Sequence, residues 1–151
     1  MKGRKSLVFL LLSLFIFSLF SFASAQDKVV ITFMGHGAPD EHEIFTKLIA
    51  KYEERYPHVM VNYINVPPAD YMVRLQAMVA GNQTPDVFYL AADHIMPWAD
   101  SGRLADLTEF VANTELFDEE NIWVEALSRY RYDGFRVGQG SLWALPKDVG
   151  P

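Results

Sequence analysis

The chain has 151 residues, of which 50% are hydrophobic and 21% charged, an ordinary composition for about one globular domain. From residue 26 onward, 10 Lys and Arg residues face 19 Asp and Glu residues, and a surface with this formal charge of −9 argues against nucleic acid or an anionic membrane as a partner. The absence of cysteine excludes disulfides, thiolate metal sites, a cysteine nucleophile and a lipid-modified N-terminal cysteine.

The first 25 residues have the pattern of a secretory signal peptide. They open with three basic residues, continue with an apolar stretch at 7–22 that only serines interrupt, and end with Ala23-Ser24-Ala25, the small residues that a signal peptidase requires. The apolar stretch is short for a bilayer core, which takes around 20 residues. We expect cleavage after Ala25, a periplasmic or secreted location and no lipid anchor, the alternative being an uncleaved anchor helix.

A strand and a helix are predicted next. Residues 28–34 (KVVITFM) are β-branched and apolar without a helical period, which predicts a buried strand. A loop at 35–39 follows, and Asp40 is expected to cap a helix, with Glu43 three residues on in a capping-box arrangement. Apolar residues at helical spacing continue this helix to just before Pro57.

The same order repeats further along the chain. Residues 59–66 predict a second strand, Asp70 is expected to cap a second helix that Gly81 stops, and 86–90 (DVFYL) predict a short third strand. The order β-α-β-α-β with short connections predicts the α/β class, with a largely parallel sheet covered by helices on both faces.

Helices and then a hairpin are predicted for the part of the chain that follows the third strand. Helices are predicted around 94–99, 105–111 and 118–131, and residues 132–146 predict a hairpin that turns near Gly138-Gln139-Gly140. The last five residues resemble a strand that leaves a domain, from which we expect the sequence to be a fragment of a longer protein.

Four stretches, in this order, resemble family 1 extracellular solute-binding proteins, the sugar-binding subunits of ABC importers that include maltose-binding protein. They are VVITFMGHG with the following helix EIFTKLIAKYEERYPHVMV, then YMVRLQAMVAGNQTPDVFYLAAD, HIMPWADSGRLADLTEFV and YDGFRVGQGSLWALPKDVGP. AGNQTPDV and SGRLADL, in that spacing, are the most specific part. The resemblance runs from about Val29 to Pro151.

The resemblance implies a type II periplasmic-binding-protein-like fold, in which two α/β lobes joined by hinge strands close on a ligand. Residues 26–151 would form an incomplete N-terminal lobe. The implied function is delivery of a mono- or oligosaccharide to the membrane permease subunits of an ABC importer. We expect a monomer without cofactor, metal or enzymatic activity.

The sugar is expected at the loops that follow the strands, because ligands of open α/β sheets lie beyond the carboxyl ends of the strands. By resemblance, Asp93 matches the aspartate that contacts sugar in the maltose-binding relatives, and its other possible role is a helix N-cap. His36 and Gly37 lie in the loop after the first strand. Leu90 stands where those relatives have an aromatic residue, so this stacking surface is missing.

Two further residues complete the predicted ligand-binding set. Trp143, near the end of the hairpin, would stack on a sugar face, with core packing as the alternative. Asp148 lies just beyond Pro146, in a segment that the resemblance carries toward the hinge. Trp98 and Trp123 lie at helical spacing with other apolar residues and are expected in the core.

An exported α/β carbohydrate-active hydrolase is the alternative function. A glycosidase needs two carboxylates held about 5–10 Å apart, for which Asp93 and Asp148 are the candidates, although nothing in the sequence poises either as an acid. The sequence has no HExxH, phosphate-loop or GxSxG motif. A third reading is an exported scaffold that binds nothing.

Overall fold

The computed structural model describes residues 27–147, which form two compact units, 27–88 and 89–147. The predicted signal peptide at 1–25 and the predicted ligand residue Asp148 lie outside the described residues, so the division of the chain at residue 25 stays a prediction. Between residues 27 and 147, no helix is both long and apolar enough to cross a bilayer.

The first unit alternates strands and helices in the predicted order. Its three strands run parallel in the spatial order β2-β1-β3, so that β1 lies in the centre. The register pairs Phe33 of the first strand with both Tyr63 and Val87. The elements are β1 (Val29–Gly35), α1 (Pro39–Arg55), β2 (Val59–Asn65), α2 (Pro68–Ala80) and β3 (Val87–Phe88).

The strand order places α1 and α2 on opposite faces of this sheet. The chain passes from β1 to β2 on one side and then returns across β1 to β3, and right-handed crossovers in opposite directions require opposite faces. The ring of Phe33 meets Phe45 of α1 edge-on at 5.8 Å, whereas the hydroxyl of Tyr71 in α2 donates to the Met34 carbonyl at 3.1 Å. The arrangement agrees with the predicted parallel sheet with helices on both faces.

The interior of the first unit consists of a few large side chains from the strands and from α2. Full burial of one such side chain contributes roughly 1.5–3 kcal/mol relative to exposure. None of the 17 residues of α1 is fully buried, so this helix covers the sheet with half-buried side chains. The buried hydrophobic residues of the unit are Met34, Val59, Val66, Tyr71 and Leu75.

Two carboxylates extend the backbone pairing of the sheet. β3 is only two residues long, and Asp86, which precedes it, accepts a hydrogen bond from the Thr32 N–H at 2.8 Å. On the other side of β1, Glu53 of α1 accepts a hydrogen bond from the Val61 N–H at 2.7 Å. Both backbone donors are thereby satisfied where no strand residue reaches them.

The predicted N-cap of α1 is wrong by two residues. The helix begins at Pro39, and the carboxylate of Glu41 accepts a hydrogen bond from the Ala38 N–H at 3.1 Å, so Ala38 and not Asp40 is the N-cap. Proline favours the first helical position because its φ is already helical and it has no N–H to satisfy. Glu43, predicted to complete the capping box, instead forms an ion pair within the helix.

The second unit contains short helices and a hairpin. The prediction for 94–99 is confirmed, whereas the helices predicted at 105–111 and 118–131 are each reduced to five residues. The antiparallel hairpin is confirmed. The elements are a 3-10 turn (Ala92–His94), α3 (Ile95–Asp100), α4 (Thr108–Ala112), a second 3-10 turn (Glu119–Asn121), α5 (Val124–Ser128), β4 (Arg131–Tyr132) and β5 (Ser141–Leu142).

Two aspartates account for the shortened helices. The carboxylate of Asp106 accepts hydrogen bonds from both the backbone and the hydroxyl of Thr108, and that of Asp118 accepts one from the Glu120 N–H. Such local bonds compete with helical pairing, so the chain turns at these residues.

The two tryptophans expected in the core differ. Trp98 is buried, as predicted, whereas the prediction for Trp123 is wrong because 62% of that residue is exposed. Trp123 lies directly before α5 and outside the cluster formed by Val111, Leu127 and Leu142. Helical spacing alone therefore predicted the burial of Trp98 correctly and that of Trp123 wrongly.

Replacement of Glu53 by alanine should destabilise the protein, because the Val61 N–H loses its acceptor. We expect the free energy of unfolding to fall by about 1–2 kcal/mol, measured by urea denaturation. Glu54→Ala is the matched control, since the neighbouring exposed side chain carries the same charge and the same helix propensity. Equal losses for both variants would show that the Glu53 bond contributes nothing specific.

Candidate functional site

The predicted ligand-binding residues are divided between the two units. His36 and Gly37 lie side by side in the loop after β1, in the first unit. Asp93 and Trp143 lie in the second unit, and Asp148 lies outside the described residues. Each unit therefore offers its own set of candidate contacts.

His36 is held at the carboxyl end of β1 by an aromatic contact. Its ring meets the ring of Tyr71 edge-on, with the centroids 4.7 Å apart. Tyr71 is buried, and its hydroxyl is bound to the carbonyl of Met34, so the partner ring is fixed to the strand. His36 itself stays half-buried, which places an imidazole, able to donate and to accept, at the edge where ligands of parallel sheets bind.

Gly37 allows the close approach of a carboxylate. A Cβ atom built on Gly37 would lie 2.6 Å from Oε2 of Glu41, which is the oxygen that accepts the Ala38 N–H. Any side chain at position 37 would therefore push Glu41 away from the start of α1. The glycine predicted as a ligand residue thus has a structural role as well.

A stack of rings at β1 and β2 is a feature that the sequence analysis did not identify. Tyr63 stacks on Phe33 at 5.0 Å and on His42, which is exposed and lies near the start of α1, at 5.3 Å. The stack follows from the in-register pairing of Phe33 with Tyr63. Predicting it from the sequence would have required the correct alignment of β1 with β2. His42 thus presents a second imidazole in the first unit.

Asp93 presents an exposed carboxylate. It lies in the middle of the 3-10 turn Ala92–His94, and 79% of its side chain is exposed. The turn has no side-chain cap, and neither has α3, which follows it, so the alternative role of Asp93 as a helix N-cap is wrong. The Nε2 atom of the neighbouring His94 lies 4.0 Å from Oδ1 of Asp93.

Tyr89 and Lys147 were also missed by the sequence analysis. Lys147 Nζ lies 4.8 Å from the centroid of the Tyr89 ring, a cation–π distance. Tyr89 directly follows β3 and directly precedes Leu90. The sequence shows a tyrosine next to Leu90, which could have indicated an aromatic contact at this position. Its contact with Lys147 joins residues 58 positions apart, and no local pattern reveals such a contact.

Trp143 uses its polar atom inside the hairpin. Its Nε1–H donates to the Tyr132 carbonyl at 3.0 Å, and its backbone N–H donates to the Tyr130 carbonyl at 2.9 Å. The residue is half-buried. Because the indole N–H is already bound, stacking of the ring face is the contact through which Trp143 would meet a sugar.

A cluster of hydroxyl and carboxylate groups anchors the strand that leads to Trp143. Asp106 accepts hydrogen bonds from the Ser141 hydroxyl at 2.6 Å and from the Thr108 hydroxyl at 2.6 Å. The same Thr108 oxygen accepts the Leu142 N–H at 3.0 Å. These bonds, first from Ser141 and then from Thr108, hold the pKa of Asp106 below its ordinary value of 3.8.

The chemistry on offer is hydrogen bonding and stacking. Among residues 27–147, no three His, Asp or Glu side chains are grouped as a metal site. The exposed Asp93 carboxylate can accept hydrogen bonds from hydroxyl groups, imidazole nitrogens can donate or accept hydrogen bonds, and Tyr89 and Trp143 contribute ring faces. Each unit therefore carries groups of the types that bind a neutral polyhydroxylated ligand.

Comparison with known families gives a match over most of the chain. Residues 38–147 match the family described as bacterial extracellular solute-binding protein. A curated relative, the erythritol/L-threitol-binding protein of Mycolicibacterium smegmatis, is 31% identical over 96 residues. The aligned part covers 58% of this chain and 20% of that protein, so the chain spans a small part of its relative.

Solved structures show the same fold. The ABC substrate-binding protein Lmo0181 of Listeria monocytogenes, in complex with cycloalternan, has a TM-score of 0.64 and 31% identity, with 72% of this chain and 27% of that chain covered. The sugar-binding protein MalE of Xanthomonas citri has a TM-score of 0.68 and 22% identity, with 78% and 28% covered. The predicted type II periplasmic-binding-protein-like fold, present in part, is therefore confirmed.

Loss of the Asp106 carboxylate should change how stability depends on pH. Because the pKa of Asp106 is lowered in the folded state, its stabilising contribution is present above the unfolded pKa and is lost as the pH falls through the folded pKa. We expect wild type to exceed Asp106→Asn in free energy of unfolding at pH 7, and the difference to shrink below about pH 4.

Urea denaturation from pH 7 to pH 2.5 measures this difference. Ser141→Ala, which removes the hydrogen bond with the largest effect on the Asp106 pKa, should reproduce part of it. A difference that stays constant over this range would contradict the assignment.

Proposed function

This chain belongs to the family of bacterial extracellular solute-binding proteins, and we propose that it binds a neutral sugar outside the cytoplasm and presents it to the permease subunits of an ABC importer. The names of its relatives, one for erythritol and L-threitol and one with bound cycloalternan, favour a polyhydroxylated ligand. The membership itself confirms the family resemblance predicted from the sequence.

The exposed carboxylate of Asp93 is the observation that carries the proposal. Almost four-fifths of its side chain is open to solvent, and no helix N–H uses it as a cap. A carboxylate that accepts hydrogen bonds from sugar hydroxyls forms charge-assisted hydrogen bonds, which are the stronger class. We assign it the central polar contact with the sugar.

The other proposed contacts come from both units, and each is assigned by its own chemistry. His36 would bind a hydroxyl at the carboxyl end of β1, and the backbone at Gly37 would lie close because no side chain stands there. Trp143 would stack on an apolar face of the sugar ring. Asp148 stays in the proposed set on the strength of the sequence alone.

We propose binding without turnover. The family is described as solute-binding, and the MalE neighbour of Xanthomonas citri is described as a sugar-binding protein. The alternative, an exported hydrolase, requires a second carboxylate opposite Asp93. Incubation with labelled oligosaccharides separates the two, since a hydrolase yields shorter products.

The proposal places the mature protein in the periplasm or outside the cell, as a monomer. Its support is the family, described as extracellular, together with the signal-peptide pattern at 1–25. The permease subunits are the proposed membrane partner.

Asp93→Asn in the full-length protein should weaken sugar binding and leave the fold intact. A hydrogen bond to a charged group contributes roughly 1.5–3 kcal/mol, so the dissociation constant should rise by about tenfold or more in calorimetry. Asp70→Asn is the matched control, because Asp70 is also an exposed acid in the first turn of a helix without a side-chain cap. Unchanged affinity in Asp93→Asn would remove this residue from the site.

The secreted form should begin at Gln26. Intact-mass spectrometry of protein secreted by a bacterial host measures the new N-terminus. Ala25→Leu should block processing because a bulky residue replaces the small one at the cleavage site, whereas Ser24→Ala, at the tolerant position between the two alanines, should be processed normally. A secreted wild-type form that retains residues 7–22 would contradict cleavage.

A further inference from the structure

The outer edge of β5 is bonded to the segment that leads into α4. The N–H of Trp143 donates to the Tyr130 carbonyl, so the alternation of an antiparallel pair turns the backbone groups of Leu142 away from β4. On that outer side, the Leu107 N–H donates to the Leu142 carbonyl at 2.7 Å, and the Leu142 N–H donates to the Thr108 hydroxyl oxygen at 3.0 Å. Leu142 is fully buried, and this segment satisfies both of its backbone groups.

The carboxylate of Asp106 fixes the direction of the Thr108 hydroxyl. A hydroxyl has one proton to donate and a carboxylate can only accept, so the Thr108 proton points to Oδ1 of Asp106, 2.6 Å from the hydroxyl oxygen. The oxygen of the same hydroxyl is then oriented to accept the Leu142 N–H. The second carboxylate oxygen, Oδ2, accepts the Ser141 hydroxyl at 2.6 Å. One charged group is thus bonded to the side chain of one β5 residue and, through Thr108, to the backbone of the other.

These outer bonds complete the support of Trp143, which directly follows β5. Its backbone N–H and its indole N–H bind the carbonyls of Tyr130 and Tyr132 on the β4 side. Each of the two strands is two residues long, and a two-stranded hairpin on its own is marginally stable in water. Asp106 and Thr108 hold β5 from the opposite side. The orientation of the Trp143 ring therefore depends on bonds at both edges of the strand.

We propose that Asp106 and Thr108 are positioning residues that orient the Trp143 indole for stacking on a sugar ring, through the backbone of Leu142 and without touching the sugar. The inference rests on the proposed function, which supplies the sugar and the stacking role of Trp143. A binding group that is already oriented loses little conformational freedom when its ligand arrives, and hydrogen bonds around the binding residue maintain that orientation. Loss of the Thr108 hydroxyl therefore weakens sugar binding although the stacking ring is still present.

Replacement of Thr108 by valine, which has nearly the same shape but no hydroxyl, tests the proposal in the full-length protein. In calorimetric titrations with glucose, galactose, maltose and maltotriose, the dissociation constant should rise by about threefold or more, because the Leu142 N–H loses its acceptor. Thr108→Ser retains the hydroxyl and should keep the affinity within about twofold of wild type. Thr114→Val is the matched control, since it removes a hydroxyl that bonds within its own loop, to the Leu116 N–H at 3.2 Å.

A double-mutant cycle with Trp143→Ala shows whether Thr108 acts through the indole. Trp143→Ala alone should raise the dissociation constant by about tenfold, since the stacking face is lost. Adding Thr108→Val to Trp143→Ala should raise it by less than about twofold further, because no ring remains to be positioned. A general weakening of the fold would lower the affinity by the same factor in both backgrounds, so the cycle separates positioning from stability.

The failure of this inference and that of the proposed function give different results. Equal affinities of wild type and Thr108→Val, or the same loss with and without Trp143, would overturn the positioning role while sugar binding stands. Unchanged affinity in Trp143→Ala would overturn it as well, by removing the stacking contact. Binding of none of the four sugars by wild type would contradict the proposed function and this inference with it. If Thr108→Val fails to fold, Ser141→Ala, which leaves the Leu142 bond in place, replaces it in the same cycle.

Discussion

The parallel pairing of β1 with a neighbour on each side is the constraint on which the first unit depends. Parallel strands end at a common edge, so this pairing places the loop of His36 and Gly37 where ligands of such sheets bind. The pairing is long with β2 but covers two residues with β3, where the Asp86 carboxylate binds the Thr32 N–H in place of a strand residue. The position of the His36–Gly37 loop thus depends on the backbone pairing of β1, which the Asp86 carboxylate extends on the side of β3.

Period and composition predicted the order of elements well, because burial imposes apolar runs on strands and a repeating face on helices. The residues at which helices begin and end depend on individual prolines and on local side-chain hydrogen bonds. Asp40 was predicted to cap α1, but Pro39, with its fixed φ, already begins the helix, so that Ala38 is the N-cap. In α2 the same effect starts the helix at Pro68, before the predicted cap Asp70. Asp106 shortened α4 by binding Thr108, a local bond invisible to periodicity.

The candidate site was only partly predictable for a physical reason. Strand ends and the resemblance indicated His36 and Asp93, because both lie beside elements that a local pattern identifies. The contact of Tyr89 with Lys147 and the bond of the Trp143 indole to Tyr132 depend on how distant segments pack. A tryptophan at a strand end is compatible with core packing and with stacking on a ligand, and only the internal bond of its N–H shows which part of the ring system remains for a sugar.

The central claim is that the exposed carboxylate of Asp93 and the loop of His36 and Gly37 bind sugar without chemical change. Backbone amide NMR of the isotopically labelled protein, titrated with neutral mono- and oligosaccharides, tests it most directly. The account predicts that the amide signals of His36, Gly37 and Asp93 shift progressively with one of these sugars, while the anomeric signals of the sugar stay intact. Shifts confined to other parts of the protein, or the appearance of new anomeric signals from cleaved sugar, would contradict it.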